Sequence, residues 1–332
     1  MDMSSLAKFL VQGRDACALL DPISCNRVDV APGRVVYTAW SYDAGGFEAD
    51  LTVTRMAEDR FMVVVGENSH GQTETWMRRN IGEGEFVNIT DVTDGITQIN
   101  LLGLKARAIL ESVSATELSS EAFPFMSARH IDVGFFRVQA LRVTSEGELR
   151  WELHVPGLRA VQVYGLLIEA GRDHGLRNAG MQTLSSLRLE RAYRDFGVDV
   201  DITDNPIEAG LGFAVKLDKP HGFIGRDAPA AIKAAGTPRR RMLQFLLQDA
   251  EPLMHGNEII HLNGQPMGYI QVGAYAHTLG GAVGIDFAEE DEPLTAERVA
   301  YGDWTIGIAG GGVLATAPLK PLLDPMMERV KM

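Results

Sequence analysis

The sequence predicts an α+β protein whose C-terminal part is all β. Strand and helix patterns alternate through roughly the first 236 residues. Beyond the charged stretch 237–241 there are only short strands punctuated by Gly, Asn and Pro, the mark of a barrel or sandwich. The length of 332 residues suits about two domains at roughly 150 residues each. With 45% apolar and 23% charged residues the composition is that of an ordinary globular chain, able to bury a core without staples.

Phe9 and Val11 read as a strand entering the turn Gly13-Arg14-Asp15, with Asp15 as N-cap of a short helix over 16–20. Residues 34–40 (RVVYTAW) are β-rich and Gly45-Gly46 signals a turn. In 47–55 (FEADLTVTR), Phe47, Ala49, Leu51 and Val53 share one face, with Glu48, Asp50, Thr52 and Thr54 on the other, which makes a hairpin. Residues 61–65 form a continuous apolar strand, 71–79 a helix, 87–92 and 96–102 a strand pair, and 104–113 a helix. Two strands, 135–144 and 149–155, flank Ser145-Glu146-Gly147-Glu148. Helices are predicted over 157–175, with Leu158, Val161, Tyr164, Leu167 and Ile168 near helical spacing, and over 183–196. Short strands are expected at 242–247, 258–261, 266–272, 281–286 and 304–308.

Composition narrows function. Thirty-one basic against 44 acidic residues give a net charge of −13, which disfavours a nucleic-acid binder or an anionic membrane surface as partner. Cys17 and Cys25 are the only cysteines, too few for a disulfide framework and without a histidine cluster for zinc. Reduced thiols and the lack of a signal pattern point to the cytoplasm, and no apolar run is long enough to span a membrane. Glycine is high at 35 residues, about one in ten against an average near 7%.

Those glycines carry no nucleotide fingerprint. Gly310-Gly311-Gly312 follows a strand but precedes no helix, so it reads as a turn, and Gly210 and Gly212 lack the dinucleotide spacing. His255 and His261 lack a third ligand, so no metal site is expected. The run 239–241 reads as a solvated arginine linker. Asp50 lies on the polar face of a strand, where a carboxylate ordinarily faces solvent. Glu152, between Trp151 and Leu153, sits where a carboxylate is partly buried and needs N–H partners. A pterin ring offers such donors, and so does an arginine; the pattern does not separate them.

Six stretches together resemble one family. They are residues 45–55 (GGFEADLTVTR), 145–152 (SEGELRWE), 186–190 (SLRLE), 206–213 (PIEAGLGF), 223–227 (FIGRD) and 273–280 (GAYAHTLG). In this order they resemble the glycine-cleavage T-protein (aminomethyltransferase) superfamily. The likeness in motif is greatest to the folate-binding C-terminal part of dimethylglycine and sarcosine dehydrogenases. The resemblance implies a three-domain cloverleaf around a central folate channel, with a C-terminal β-barrel. It divides the chain into 1–35 with 118–236 as a discontinuous folate-binding domain, 36–117 carrying Asp50, and 237–332 as the barrel.

It also implies roles. Asp50 matches the catalytic aspartate beside the reactive N10 nitrogen of the folate, where a carboxylate orients an amine, stabilises an iminium or acts as base. Glu152 matches the glutamate that pairs with the pterin ring, Tyr37 and Thr52 match pocket residues, and Arg188 matches a pocket arginine. Two departures stand out: Ser145 replaces a tyrosine and Arg150 a glycine, so an aromatic wall is lost. The chain also starts after the family's usual N-terminal segment, which leaves part of the first domain to be supplied otherwise.

The implied activity is tetrahydrofolate-dependent one-carbon transfer from an N-methyl or methylene amine donor. It forms 5,10-methylene- or 5-methyl-tetrahydrofolate, with a partner flavoprotein oxidising the amine. The alternatives are a stand-alone tetrahydrofolate-dependent demethylase or dehalogenase acting on an S-methyl, O-methyl or halomethyl compound, and a non-catalytic folate-binding subunit.

Overall fold

The computed structural model describes residues 1–332. Three sheets organise it. The first has the order β2-β3-β4-β1-β5, from β1 (Ala7–Gln12), β2 (Val35–Ser41), β3 (Phe47–Ala57), β4 (Arg60–Val65) and β5 (Asn88–Asp91). Its apolar side packs on α1 (Ala16–Ile23) and α2 (His70–Arg79), around Phe9, Leu20, Trp40 and Phe61. The second has the order β6-β9-β8-β7, from β6 (Ile96–Leu102), β7 (Ser127–Val133), β8 (Phe136–Arg142) and β9 (Arg150–Pro156). It is covered on one side by α3 (Ala106–Val113) and α4 (Ala160–Gly171). Then come α5 (Met181–Glu190) and α6 (Asp227–Ala235).

The last sheet has seven strands: β10 (Arg240–Leu247), β11 (Ile259–Leu262), β12 (Gln265–Tyr269), β13 (Val272–Ala276), β14 (Gly281–Glu289), β15 (Trp304–Ile308) and β16 (Gly311–Thr316). It rolls up until β12 lies against β14. A Cβ on Gly268 would sit 2.5 Å from the Phe287 carbonyl oxygen, so only glycine closes the roll there. Inside, Phe245 and Trp304 meet edge to face at 5.4 Å. Two short helices, α7 (Ala296–Tyr301) and α8 (Glu328–Lys331), complete the chain. Thr295 caps α7, its hydroxyl oxygen accepting from the Arg298 N–H at 3.1 Å. Thr295→Ala should therefore lower stability by about 1 kcal/mol, read from the denaturant midpoint. No helix is long and apolar enough to cross a membrane.

The alternation over 47–55 is realised as read: Phe47, Ala49, Leu51 and Val53 are buried, and Asp50 and Thr52 lie on the opposite face. Several expectations change: β13 and β16 have no counterpart among the expected strands, Gly311 and Gly312 open β16 instead of only turning, and the helix expected over 183–196 ends at Glu190. Segments 87–92 and 96–102 do form strands, but they part into different sheets, β5 onto β1 and β6 onto β9. A tight 3₁₀ turn at Thr93–Gly95 sends the chain from one sheet to the next instead of back on itself. The first sheet thus joins residues 7–12 to 35–65 and 88–91 by hydrogen bonds. Strand β7 has no counterpart in the sequence reading; its alternation is interrupted by exposed Arg129 and His130.

In α4 the buried row is Val163, Leu167 and Gly171, spaced i, i+4, i+8, while Leu158 and Val161 are 90% and 80% exposed. The helix carries more apolar residues than one face holds, and only the row facing α3 is covered. Asp15 precedes α1 but does not cap it; its carboxylate accepts from the Phe86 N–H at 2.8 Å. The arginine run is no solvated linker. Arg240 opens β10, pairs with Asp204 at 2.6 Å and lies over the Phe287 ring.

Candidate active site

The β2–β3 hairpin builds the centre. Tyr37 stands opposite Thr52 and Ala39 opposite Asp50, so Tyr37, Thr52 and Asp50 share one face by the two-residue period of the strands. The Tyr37 hydroxyl lies close enough to the Asp50 carboxylate to favour its charged form. Behind them the alternate residues lock the hairpin into two cores, Leu51 and Val53 into the first sheet's and Phe47 into one shared with the barrel. Burial pushes the Asp50 carboxyl up to about 7; the nearby Tyr37 hydroxyl opposes this, and the Asp195 and Asp199 charges add to it. Burial also drives the Tyr37 phenol well above its ordinary value, helped by the Asp50 charge. Yet both side chains remain only half-buried, so a ligand can reach them. Phe213 stacks on the outer side of Tyr37, ring centroids 5.9 Å apart at 22°.

A second group comes from the segment after α5, which the sequence reading did not single out. Arg188 grips Asp199 through two hydrogen bonds of 2.5 and 3.1 Å and donates to the Tyr193 carbonyl at 3.0 Å. Arg188 is thus committed to an internal ion pair and presents no free fork to a ligand. Its clamp forces a tight loop in which Ala192 takes a left-handed φ of 54°, costly for a residue with a Cβ. Arg194 donates to the Ala209 carbonyl at 2.8 Å and to the Ala192 carbonyl, and its charge acts on Tyr37 while that of Asp195 acts on Asp50. Tyr193 faces Glu146 and Arg150, its hydroxyl buried without a partner. The available signal was the run Tyr-Arg-Asp directly after a helix, too short for any periodicity.

The third group lies on the second sheet. Trp151, Leu153 and Val155 of β9 enter the core, so Arg150, Glu152 and His154 line the opposite face, beside Gln98 and Asn100 of β6. All five polar residues are buried nonetheless. Arg150 donates to Ser145 Oγ at 2.7 Å, to Glu146 at 2.6 Å and to Glu152. Burial alone would raise the Glu152 carboxyl, but the Arg150 charge holds it below the usual range. Ser145 is occupied by the same network, its hydroxyl 2.9 Å from the Glu146 carboxylate.

Tyr37, Thr52 and Asp50 thus come together at one end, and Ser145 and Glu152 at another. The charges of Arg194 and Asp195 act on the first group, and that of Glu146 acts on Tyr193. A cavity of about 690 Å³ is lined by Pro22, Asp43 and residues 219–227 and contains none of these side chains. No cluster of three or more His, Cys, Asp or Glu side chains is arranged to hold a metal.

Residues 1–219 match the GCVT N-terminal domain and residues 240–324 the glycine cleavage T-protein C-terminal barrel domain. The chain is 35% identical over 330 residues to 4-methylaminobutanoate oxidase (formaldehyde-forming) from Paenarthrobacter nicotinovorans, covering 99% of this chain and 39% of that protein. It is 32% identical over 299 residues to the aminomethyltransferase of Halothermothrix orenii, covering 90% of this chain and 82% of that protein. In structure it resembles the glycine cleavage system aminomethyltransferase T from Bartonella henselae, with TM-score 0.84, 21% identity, and coverage of 98% and 86% of the two chains. The chain spans about two fifths of the length of the oxidase and dehydrogenase relatives it matches.

Proposed function

This chain belongs to the glycine cleavage T-protein family, and from that premise we propose that it is a tetrahydrofolate-dependent one-carbon transferase. The observation that carries the reading is the Asp50 carboxyl, tuned to about 7, on one strand face with Tyr37 and Thr52 and still reachable. A carboxylate poised near neutral pH can accept a proton from an ammonium and stabilise a cationic carbon–nitrogen centre. Tyr37 favours its charged form, Thr52 lies across the strand pair from Tyr37, and Arg194 and Asp195 set the local field.

The residues present fit tetrahydrofolate. Gln98 Oε1, Asn100 Nδ2, Glu146 Oε1 and both ring nitrogens of His154 are buried without partners, as a polar heteroaromatic ligand would require. Glu152, beside them, would receive its N–H groups. When bound, tetrahydrofolate supplies the nucleophilic nitrogen that takes up the one-carbon unit. The protein's part is to hold the ligand across the two groups and to carry the proton on Asp50.

We propose an N-methyl amine as the source of the carbon, oxidised by a partner flavoprotein. The oxidase relative is formaldehyde-forming, and other relatives are sarcosine and dimethylglycine dehydrogenases. The test mixes the purified chain, tetrahydrofolate and sarcosine with and without a flavoprotein sarcosine dehydrogenase, and measures methylene-tetrahydrofolate by chromatography. Product above the uncatalysed level only with the dehydrogenase supports the reading. Failure to bind tetrahydrofolate overturns it.

One observation favours a second reading. Ser145 puts a small hydroxyl, tied into the Arg150 network, where the family has an aromatic wall. A stand-alone demethylase or dehalogenase would use that space for a different donor, and turnover of an S-methyl, O-methyl or halomethyl compound without any flavoprotein would establish it. A non-catalytic folate-binding subunit would be indicated by an Asp50→Ala variant as active as wild type.

Tyr37→Phe separates tuning from catalysis. The nearby hydroxyl lowers the Asp50 pKa, so its loss should move the acid limb of the pH–rate profile above pH 7. At pH 7 the rate should fall about tenfold. An unmoved limb would remove Tyr37 from the site.

A further inference from the structure

The polar face of the second sheet holds more hydrogen-bonding capacity than the protein uses. Five of its buried polar atoms lack partners, and Glu152 Oε2 makes no hydrogen bond either; His154 Nε2, at 3.6 Å, is too far. Native proteins satisfy nearly all such groups, so this face is arranged to receive something polar.

The chain itself displays what these carboxylates hold. The Arg150 guanidinium side chain is 4% exposed and bridges Glu146 and Glu152, Nε donating to the Val143 carbonyl at 3.1 Å. Nη1 donates to Ser145 and Glu146, and Nη2 to Glu152 Oε1. Four of its five N–H groups are therefore engaged. A planar N–C–N fork is also the edge that a 2-aminopyrimidinone ring presents.

We propose that Arg150 is an internal competitor of the ligand for Glu152 and so determines specificity at this end of the site. It rests on the reading that tetrahydrofolate binds here. By holding Oε1, Arg150 leaves a single open oxygen, so a cyclic guanidine edge is met by one hydrogen bond instead of a bidentate pair. Ligands that donate once are favoured over those that donate twice. Ser145 and Glu146 belong to the same device, because they hold the guanidinium in place.

The test is a binding cycle. Tetrahydrofolate is titrated calorimetrically into four forms of the full chain: wild type, Arg150→Gly/Glu146→Val, and each of these with Glu152→Gln. Removing Glu146 together with Arg150 avoids leaving a buried carboxylate unpaired. The opened variant should bind at least about tenfold more tightly than wild type, the effect of one added charge-assisted bond. Glu152→Gln should then weaken binding about tenfold more in the opened background than in wild type, since only there does the carboxylate bind in full.

Equal effects of Glu152→Gln in both backgrounds, or unchanged affinity in the folded double variant, would overturn the role of Arg150 while leaving folate binding intact. Absence of binding in all four forms would overturn both readings together. If the opened variant does not fold, Arg150→Lys takes its place. A lysine cannot bridge two carboxylates as a fork does, so affinity should rise in the same direction, and an unchanged value counts against the proposal.

Discussion

Asp50→Asn should slow one-carbon transfer by about 10²- to 10³-fold, the range for losing a positioned acid–base group with its electrostatic effect. The amide keeps the shape and can still meet the Tyr37 hydroxyl, so tetrahydrofolate binding should change little. The loss therefore falls on kcat rather than on affinity. In the wild type, the rate should fall about tenfold per pH unit once the pH drops well below the Asp50 pKa of about 7, because the charged form is then lost. That limb should vanish in Asp50→Asn.

Stability runs in the opposite sense. Burial raises the folded-state pKa above that of the unfolded chain, so the folded protein binds this proton more tightly. The charged Asp50 is then a burden that is full above pH 7 and is relieved as the pH falls toward 4. Asp50→Asn should accordingly raise the denaturant midpoint at pH 8, exchanging activity for stability. A lower midpoint at pH 8 would show that the carboxylate is better compensated than burial implies.

Arg188→Ala should have the largest effect on stability, about 3–5 kcal/mol in denaturant unfolding, because it strips the partner from a buried carboxylate. Asp199 has no exposed side-chain surface, and burial already raises its pKa even with Arg188 bound to it. Removing the guanidinium also releases the Tyr193 carbonyl and the strained turn at Ala192. The loop would then lose the arrangement that brings the Arg194 and Asp195 charges to bear on Tyr37 and Asp50. Activity should fall even at temperatures where the variant is folded. Arg188→Lys should recover part of the stability but not the two-bonded geometry. If Arg188→Ala unfolds like wild type, the clamp is not what holds this loop.

The division between sequence and structure follows from the range of the forces involved. The hairpin carrying Asp50 was legible because its signal is local: a glycine turn, then a strict alternation that puts Leu51 and Val53 inward and Asp50 outward whatever lies around them. Five of the seven barrel strands were legible for the same reason, from turn residues at short intervals; β13 and β16 were not, being short and glycine-rich. Motif resemblance located Glu152 and Arg188 on β9 and α5, but a motif does not say what a side chain touches. Which carboxylate each arginine meets depends on residues up to 11 positions away or on another element, as with Arg188 and Asp199, or Arg191 and Glu148.

The sequence by itself determined the α+β class, the all-β C-terminal part, the face on which Asp50 stands and the candidate residues around it. Only the tertiary structure decided that this polar face turns inward, where loss of water raises Asp50 toward neutrality. It likewise decided that 87–92 and 96–102 separate into different sheets, that Arg188 is held by Asp199 instead of facing a ligand, and that Arg150 holds Glu152. Strand period and turn chemistry act over a few residues and are written in order along the chain. Desolvation and ion pairing depend on what packs across the gap, which no stretch of sequence contains.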